Sequence, residues 1–503
     1  MRSARLTIDP AFPIGAVDSR LFGTFVEHVG RCVYTGIFEP AHATADEHGF
    51  RGDVLELTRE LGTTIVRYPG GNFVSGYDWE DGVGPRDARP RRLDLAWRQI
   101  ESNEVGTDEF VRWAQLAGAQ PMLAVNLGTR GVDAARALVE YCNHPAGSER
   151  SDERRRNGCP EPHNVRVWCL GNEMDGPWQL GRKTAIEYGR LAAEAGKAMK
   201  LVDPTIELVA CGSSGRSMPT FGSWEASVLG ECYDAVDYLS LHAYYDPEGE
   251  DLDSFLASGR DMDAFIDSVV ATCDYVRARR RSDRRIDLAF DEWNVWYLSR
   301  FQDQPQGAWA ERPRLIENLY TLADAVVVGS LLITLLRHAD RVRIACLAQL
   351  VNAIAPIMTE PGGPAWRQTI FHPFALTAAL ARDGIVLRVE PEAPTLETTR
   401  HGAVPVLETT AVWHEDSGEL TIFAVNRNTR EPLDLDVRLR GLGDRVVAHT
   451  TLAGSAPEAA NTAEHPGRVK PRSLASTRSA RQRLRVTLPP LSWNVFRLMP
   501  PAS

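Results

Sequence analysis

The sequence predicts an α/β fold, a (β/α)8 TIM barrel followed by a smaller all-β sandwich. Two observations carry that expectation. Between about residues 20 and 350, eight short apolar runs alternate with helix-like stretches, the pattern of βα units wrapped around a parallel sheet. Beyond about residue 380 the texture changes to alternating strands separated by turn residues, and the eight cysteines, scattered up to that point, stop at Cys346.

The eight runs are Leu21–Val26, Thr64–Arg67, Met122–Val125, Val165–Leu170, Ile206–Ala210, Val236–Leu241, Ile286–Phe290 and Val342–Ala348. Each is a brief β-branched or apolar stretch of the type expected of a buried strand. Helices are expected between them. Thr107–Gly118 carries Phe110, Val111 and Ala114 on one face, with Thr107 as its cap. A second helix runs from Lys183 to about Val202 and stops at Asp203-Pro204, because the residue before proline disfavours the helical region. Arg314–Ala339 reads as one or two buried helices leading into the eighth strand. In the last part, Leu420–Asn426 and Arg485–Leu488 alternate as strands, and Ser455–Arg483, rich in Pro, Ser, Ala and Arg, reads as a long surface loop.

Composition narrows the function. With 43% hydrophobic and 24% charged residues in 503, the chain is not disordered. A net charge of −11 repels phosphate backbones and anionic lipid, so neither nucleic acid nor a membrane is an expected partner. The longest apolar run, Ala325–Leu336, falls well short of the ~20 residues of a spanning helix. No secretory segment precedes Asp9, and the expectation is a cytoplasmic protein.

In such a barrel the active site lies at the C-terminal ends of the strands. The residues there are Glu27 and His28; Arg67 and Asn72; Asn126; Asn172 and Glu173; Gly212-Ser213; His242 and Tyr244; Asp291 and Glu292; and Gln349 and Asn352. Carboxylate, amide, imidazole and guanidinium groups in this number suit the hydroxyls of a sugar. Glu173 and Glu292 end non-adjacent strands and are placed to face one pocket, as the acid and nucleophile of retaining glycoside hydrolysis do. Each has a plainer reading. Strand-end carboxylates also cap helices, Asn72 also suits a turn after Gly70-Gly71, and His242 and Tyr244 also suit a satisfied core. Pairing of the two glutamates, each flanked by tryptophan (Trp178, and Trp293 with Trp296), favours the sugar site. Gln349, in an apolar run, must find a partner.

Other chemistries lack their motifs. There is no H-E-x-x-H and no H-x-H among the twelve histidines, Gly82-Val-Gly84 lacks the third glycine of the dinucleotide fingerprint, and Gly212-Ser-Ser-Gly215 fails the serine-hydrolase spacing. No metal and no other cofactor is expected.

At these residues the chain resembles the α-L-arabinofuranosidases of glycoside hydrolase family 51. The resemblance is carried by Gly23-Thr-Phe-Val-Glu-His28, Arg67-Tyr-Pro-Gly-Gly-Asn-Phe-Val-Ser-Gly76, Gly171-Asn-Glu-Met-Asp-Gly-Pro-Trp178, Phe290-Asp-Glu-Trp-Asn-Val-Trp296, Gln349-Leu-Val-Asn352 and Glu360-Pro-Gly-Gly-Pro-Ala-Trp366. It implies a retaining exo-acting enzyme on terminal α-L-arabinofuranosyl residues of arabinan- or arabinoxylan-derived oligosaccharides, with Glu173 as general acid/base and Glu292 as nucleophile. It further implies that Glu27, Arg67, Asn72, Asn172, His242, Tyr244 and Gln349 hold the furanose ring and orient the nucleophile, and that Trp97, Trp178 and Trp296 wall the pocket. The architecture implied is an N-terminal strand (1–18) joining a C-terminal jelly-roll sandwich (379–503), with the barrel at 19–378, assembled as a homohexamer. Two departures stand out: Ser148–Glu153 lacks an aromatic expected in that loop, which bears on leaving-group specificity, and Arg472–Arg485 is unusually arginine-rich. The competing readings are a β-xylosidase or endoglucanase on the same scaffold, or a non-catalytic sugar-binding protein.

Overall fold

The computed structural model describes residues 2–501 apart from 303–306, 308 and 455. Eight parallel strands close into a barrel in strict chain order: Gly23–Phe25, Ile65–Tyr68, Gln120–Val125, Val167–Leu170, Glu207–Ala210, Tyr238–Tyr245, Asp287–Val295 and Val342–Leu347. Every one of the eight expected runs supplies a strand. The first strand begins at a glycine for a steric reason, since a Cβ at Gly23 would lie 2.7 Å from both the Ala345 carbonyl oxygen and Ile65. No helix among the described residues is long and apolar enough to cross a membrane.

The helix Ala185–Val202 is capped by Thr184, whose hydroxyl accepts from the Glu187 amide, and it ends before Asp203-Pro204 as expected. Four expectations need correction. The helix Thr107–Ala117 is capped by Gly106 rather than Thr107. A Cβ at position 106 would fall 1.8 Å from the Gly82 carbonyl oxygen, so close packing selects glycine, and Glu109 Oε2 accepts from the Gly106 amide at 3.0 Å instead. Of Arg314–Ala339, only Leu322–Arg337 is helical. The expected loop Ser455–Arg483 contains a strand, Arg472–Arg478, which pairs antiparallel with Val446–Ala453 at the edge of a sheet. Polar residues are tolerated on an edge strand, so composition alone hid it. Likewise Ser148–Glu153 lies in and just before a helix, Glu149–Arg156, not in a loop.

The all-β part is one sheet of nine strands, ordered Arg472–Arg478, Val446–Ala453, Ser492–Met499, Glu419–Asn426, Leu407–His414, Ile385–Glu392, Arg2–Ala16, Leu433–Leu439 and Arg483–Leu488, with a separate two-stranded hairpin, Thr395–Thr398 and Gly402–Pro405. Leu6 and Leu435 from one side of that order share an apolar core with Ile422 and Phe496 from the other, so the sheet folds over its own core. The N-terminal strand pairs antiparallel with Ile385–Glu392 and parallel with Leu433–Leu439. It therefore ties chain elements almost four hundred residues apart. The arginine-rich stretch supplies the two outer strands.

Barrel and sheet meet at the helix Leu322–Arg337, buried from Leu322 to Leu336. It is apolar all round because helices pack one side and the strands Leu407–His414, Glu419–Asn426 and Ser492–Met499 the other. Its Gly329 lies under Trp493, and at its end Arg337 pairs with the buried Glu408, which also pairs with the buried Arg427.

Candidate active site

The carboxylates Glu173 and Glu292 face each other across the C-terminal mouth of the barrel. One oxygen of each, together with a nitrogen of the His242 ring, lie within 4.8 Å of one another. Such closeness belongs with the ~5–5.5 Å carboxyl pairs of retaining enzymes, the pairs that hold an attacking water standing wider, at about 6.5–9.5 Å. The two side chains get there differently. Glu292 continues its strand, in register with His242 on the neighbouring strand. Glu173 follows Gly171-Asn172 just past its strand with a left-handed backbone, φ 45°. That conformation is unfavourable for a residue with a side chain and persists only where packing over-determines it.

Hydrogen bonds fix both groups. Glu292 Oε1 accepts from Arg67 at 2.5 Å and Oε2 from the Tyr244 hydroxyl at 2.8 Å. Glu173 Oε1 lies 2.9 Å from His242 Nδ1, and Oε2 accepts from the Trp178 indole at 2.7 Å. Arg67 also donates to Asn172 Oδ1 at 2.7 Å, which leaves the Asn172 amide nitrogen directed away from it and 3.5 Å from Asn72 Oδ1. Glu27 Oε1 accepts from the Phe73 amide and the Trp97 indole, both at 2.9 Å, while Oε2 accepts from Gln349 at 3.0 Å. Gln349 accepts in turn from the Glu27 amide at 3.0 Å, so the buried amide has the partner its apolar surroundings demand. Gly70 and Gly71 are required beside it, because a Cβ on either would meet Glu27 within 3.0 Å.

Strand-end reading overlooked the weight of Asp291. It stands beside Glu292 where the strand's pairing register shifts, and its carboxylate lies 3.2 Å from Arg67 Nε and 3.4 Å from His242 Nε2, the same two side chains that touch Glu292. It thus holds two groups that touch the glutamates. Other strand-end residues serve structure. His28 bridges Glu101 and Tyr68 at 2.8 Å each, Asn126 closes a turn by accepting from the Gly128 and Thr129 amides, and Asn352 bonds Arg31 and Thr359.

Charge follows from burial. Desolvation raises the Glu173 pKa, and the Glu292 charge adds to that against the opposing hydrogen bonds of His242 and Trp178. Desolvation likewise pushes Glu27 up to about 8. For His242, burial favours the neutral ring, but Glu292, Asp291 and Glu173 outweigh it and hold the pKa well above 6.5. Burial would raise Asp291, yet Arg67 and His242 keep it low. The buried cations Arg67 and His242 are therefore set against Asp291 and Glu292, and burial biases Glu173 and Glu27 towards the protonated form. A carboxylic acid facing a carboxylate is the arrangement that proton donation and nucleophilic attack require. The spacing of Glu173, His242 and Glu292 would also suit a cation, but Arg67 already supplies the positive charge at Glu292. Asp108, Cys159 and His163 form a second cluster with ligand-like spacing outside the cleft.

The carboxylates open into a cleft of about 990 Å³ through a recess of about 40 Å³ bounded by Glu27, Asn72, Glu292 and Gln349. Trp97, Trp178, Trp296 and Tyr244 line the cleft, with Trp178 52% exposed at its rim. The helix Glu149–Arg156 is not part of its wall. Arg400, from the all-β part, is, and no local sequence signal marks it.

A barrel mouth with two facing glutamates, one of them biased towards protonation by burial, among amides and aromatics defines a glycoside hydrolase of the retaining type. Sequence comparison narrows the class. The family model described as the alpha-L-arabinofuranosidase 1 domain matches residues 57–269, and that of the alpha-L-arabinofuranosidase C-terminal domain matches residues 291–492. The chain is 58% identical to an intracellular exo-α-(1→5)-L-arabinofuranosidase of Streptomyces lividans, over 100% of this chain and 76% of that one. It is 52% identical to an exo-α-(1→6)-L-arabinofuranosidase of Bifidobacterium longum, over 99% and 98%. The solved structure of AbfB, a family 51 α-L-arabinofuranosidase from Bifidobacterium longum, superposes with a TM-score of 0.95 at 47% identity, covering 99% of this chain and 100% of that one. The chain belongs to the α-L-arabinofuranosidases of glycoside hydrolase family 51.

Proposed function

We propose that the protein is an intracellular, retaining exo-α-L-arabinofuranosidase that removes terminal non-reducing arabinofuranosyl residues from short α-(1→5)-linked arabino-oligosaccharides. The observation that carries it is the facing pair Glu173 and Glu292 at the mouth of the cleft, with Glu173 pushed towards protonation by burial and by Glu292. The similarity to the Streptomyces lividans enzyme supports linkage and compartment.

In this reading Glu173 protonates the glycosidic oxygen while Glu292, oriented by Arg67 and Tyr244, attacks the anomeric carbon to form a covalent arabinosyl-enzyme. Bond formation consumes the Glu292 charge that raises Glu173, so Glu173 becomes acidic enough to act as base on the water that completes the cycle. The amide nitrogen of Asn172 donates to the sugar 2-hydroxyl, and Glu27, Asn72 and Gln349 hold the ring in the recess. Trp97, Trp178 and Trp296 stack on sugar faces. No cofactor enters the proposed reaction, and a homohexamer, by family resemblance, is the proposed assembly.

The test is a pair of variants. Glu173→Ala should lower kcat/KM on α-(1→5)-arabinobiose by about 10²–10⁴-fold while sparing the first step for an aryl arabinofuranoside with a good leaving group. Glu292→Ala should be almost inactive and regain turnover with azide, giving an arabinosyl azide of inverted configuration by NMR. Equal losses of Glu173→Ala on both substrates, or an azide product of retained configuration, contradict the assignments.

A further inference from the structure

The groups that touch the carboxylates line only part of the cleft. Its volume of about 990 Å³ lies at the top of the ~300–1,000 Å³ that accommodates a ligand of several rings. The remaining wall comes from the loop after the fifth barrel strand, the start of the helix Gly259–Arg280, and the hairpin Thr395–Thr398 with Gly402–Pro405. Phe221 and Phe265 meet there edge to face with centroids 5.4 Å apart, offering an apolar surface. The polar groups around it are paired: Arg216 donates to Asp261 at 2.8 Å, and Arg400 pairs with Glu250. The Arg400 amide donates to Ser254 Oγ at 3.2 Å, which pins the hairpin against the barrel.

Tyr245 is the exception. It follows Tyr244 on the sixth barrel strand, so the two rings point to opposite sides. Tyr244 donates to Glu292, whereas Tyr245 is 4% exposed, lines the cleft, and its hydroxyl makes no well-formed hydrogen bond among the described residues, Asp261 being the acceptor it approaches. A buried hydroxyl left without a protein partner is unfavourable, and each such group in a folded protein calls for an explanation. Asp261, Arg400 and Arg216 all act electrostatically on it, which places it within their cluster.

We propose that this end of the cleft is a distal aglycone subsite, in which Tyr245, Arg216, Asp261 and Arg400 hold hydroxyls of the third residue of a linear arabino-oligosaccharide, counted from the cleaved end, with Phe221 and Phe265 against its ring. The inference rests on the arabinofuranosidase reading and adds a preference for chain length. Both arginines are neutralised by carboxylates, so the subsite fits a neutral sugar rather than an acidic one. Because Arg400 comes from the all-β part, that part contributes to specificity and not only to stability.

The experiment compares kcat/KM on α-(1→5)-arabinotriose, α-(1→5)-arabinobiose and an aryl arabinofuranoside for the full chain and for Tyr245→Phe and Arg400→Ala. The parent should prefer the triose to the biose, and each variant should lower the triose-to-biose ratio about fivefold, as the loss of one hydrogen bond does. Tyr245→Phe should melt no lower than the parent, since it removes only a hydroxyl that makes no well-formed hydrogen bond. Equal kcat/KM on biose and triose in the parent, or a ratio in both variants within twofold of the parent's, overturns the subsite. A parent inactive on all three substrates overturns the arabinofuranosidase reading itself, and the subsite with it.

Discussion

His242 shows how the chemistry is set by neighbours rather than by one group. Its Nδ1 faces Glu173 and its Nε2 faces Asp291, and the charges of Glu292, Asp291 and Glu173 keep the ring protonated against the cost of burial. The imidazolium in turn lowers the Glu173 pKa, opposing the rise caused by desolvation and Glu292. A raised carboxyl pKa keeps Glu173 protonated to higher pH, so the alkaline fall in kcat/KM follows its deprotonation. Removing His242 removes a lowering influence. In His242→Ala that alkaline limb should therefore move to higher pH, and the profile of kcat/KM on an aryl arabinofuranoside measures it; a limb that moves down contradicts the arrangement. Most of these residues were legible in the sequence because strand ends in a barrel face one mouth. Asp291 was visible but undervalued, since strict alternation would turn it away from the pocket, and only the register shift before Glu292 brings it to Arg67 and His242. The left-handed φ of Glu173 left no trace in composition.

At the scale of elements, local signals did well where a pattern repeats and poorly where a distant contact decides. Eight apolar runs became eight strands because burial on both faces demands continuous apolar sequence. The cap at Gly106 was misplaced because the deciding contact, the Gly82 carbonyl, is remote from the helix start. Gly329 makes the same point in a helix interior. Glycine there costs about 1 kcal/mol relative to alanine by propensity alone. However, a Cβ would lie 2.2 Å from Trp493 Cδ1, an overlap of the kind that costs about 1–3 kcal/mol in a packed core. Gly329→Ala should therefore destabilise the protein by about 1–2 kcal/mol in denaturant-induced unfolding; a gain in stability would show that the helix and the sheet slide freely past each other.

For the whole molecule, the N-terminal strand Arg2–Ala16 joins two neighbours in the middle of the nine-stranded sheet. Ala4, Leu6 and Ile8 from it are buried in the core of that sheet. Deleting residues 2–16 should leave two unpaired inner edges and an open core, and yield insoluble protein even though every residue of the barrel mouth is retained. Soluble, monodisperse protein with intact far-UV circular dichroism after the deletion contradicts this role. The ion-paired cluster Arg337, Glu408 and Arg427 and the helix Leu322–Arg337 add further contacts between barrel and sheet.

Period, burial and motif are properties of neighbouring residues, so the barrel, the later all-β region and the family are all legible along the chain. The two glutamates are legible too, since their position relative to a strand is local. Three outcomes arise only in the packed fold: Arg67 holds Asp291, Glu292 and Asn172 at once, a polar, serine- and arginine-rich stretch forms an edge strand, and Arg400 from beyond the barrel reaches the cleft that Phe221 and Tyr245 also line. Those outcomes depend on which distant segments are brought together, and the free energy of such contacts is carried by packing and charge across the fold rather than by any stretch of chain read alone.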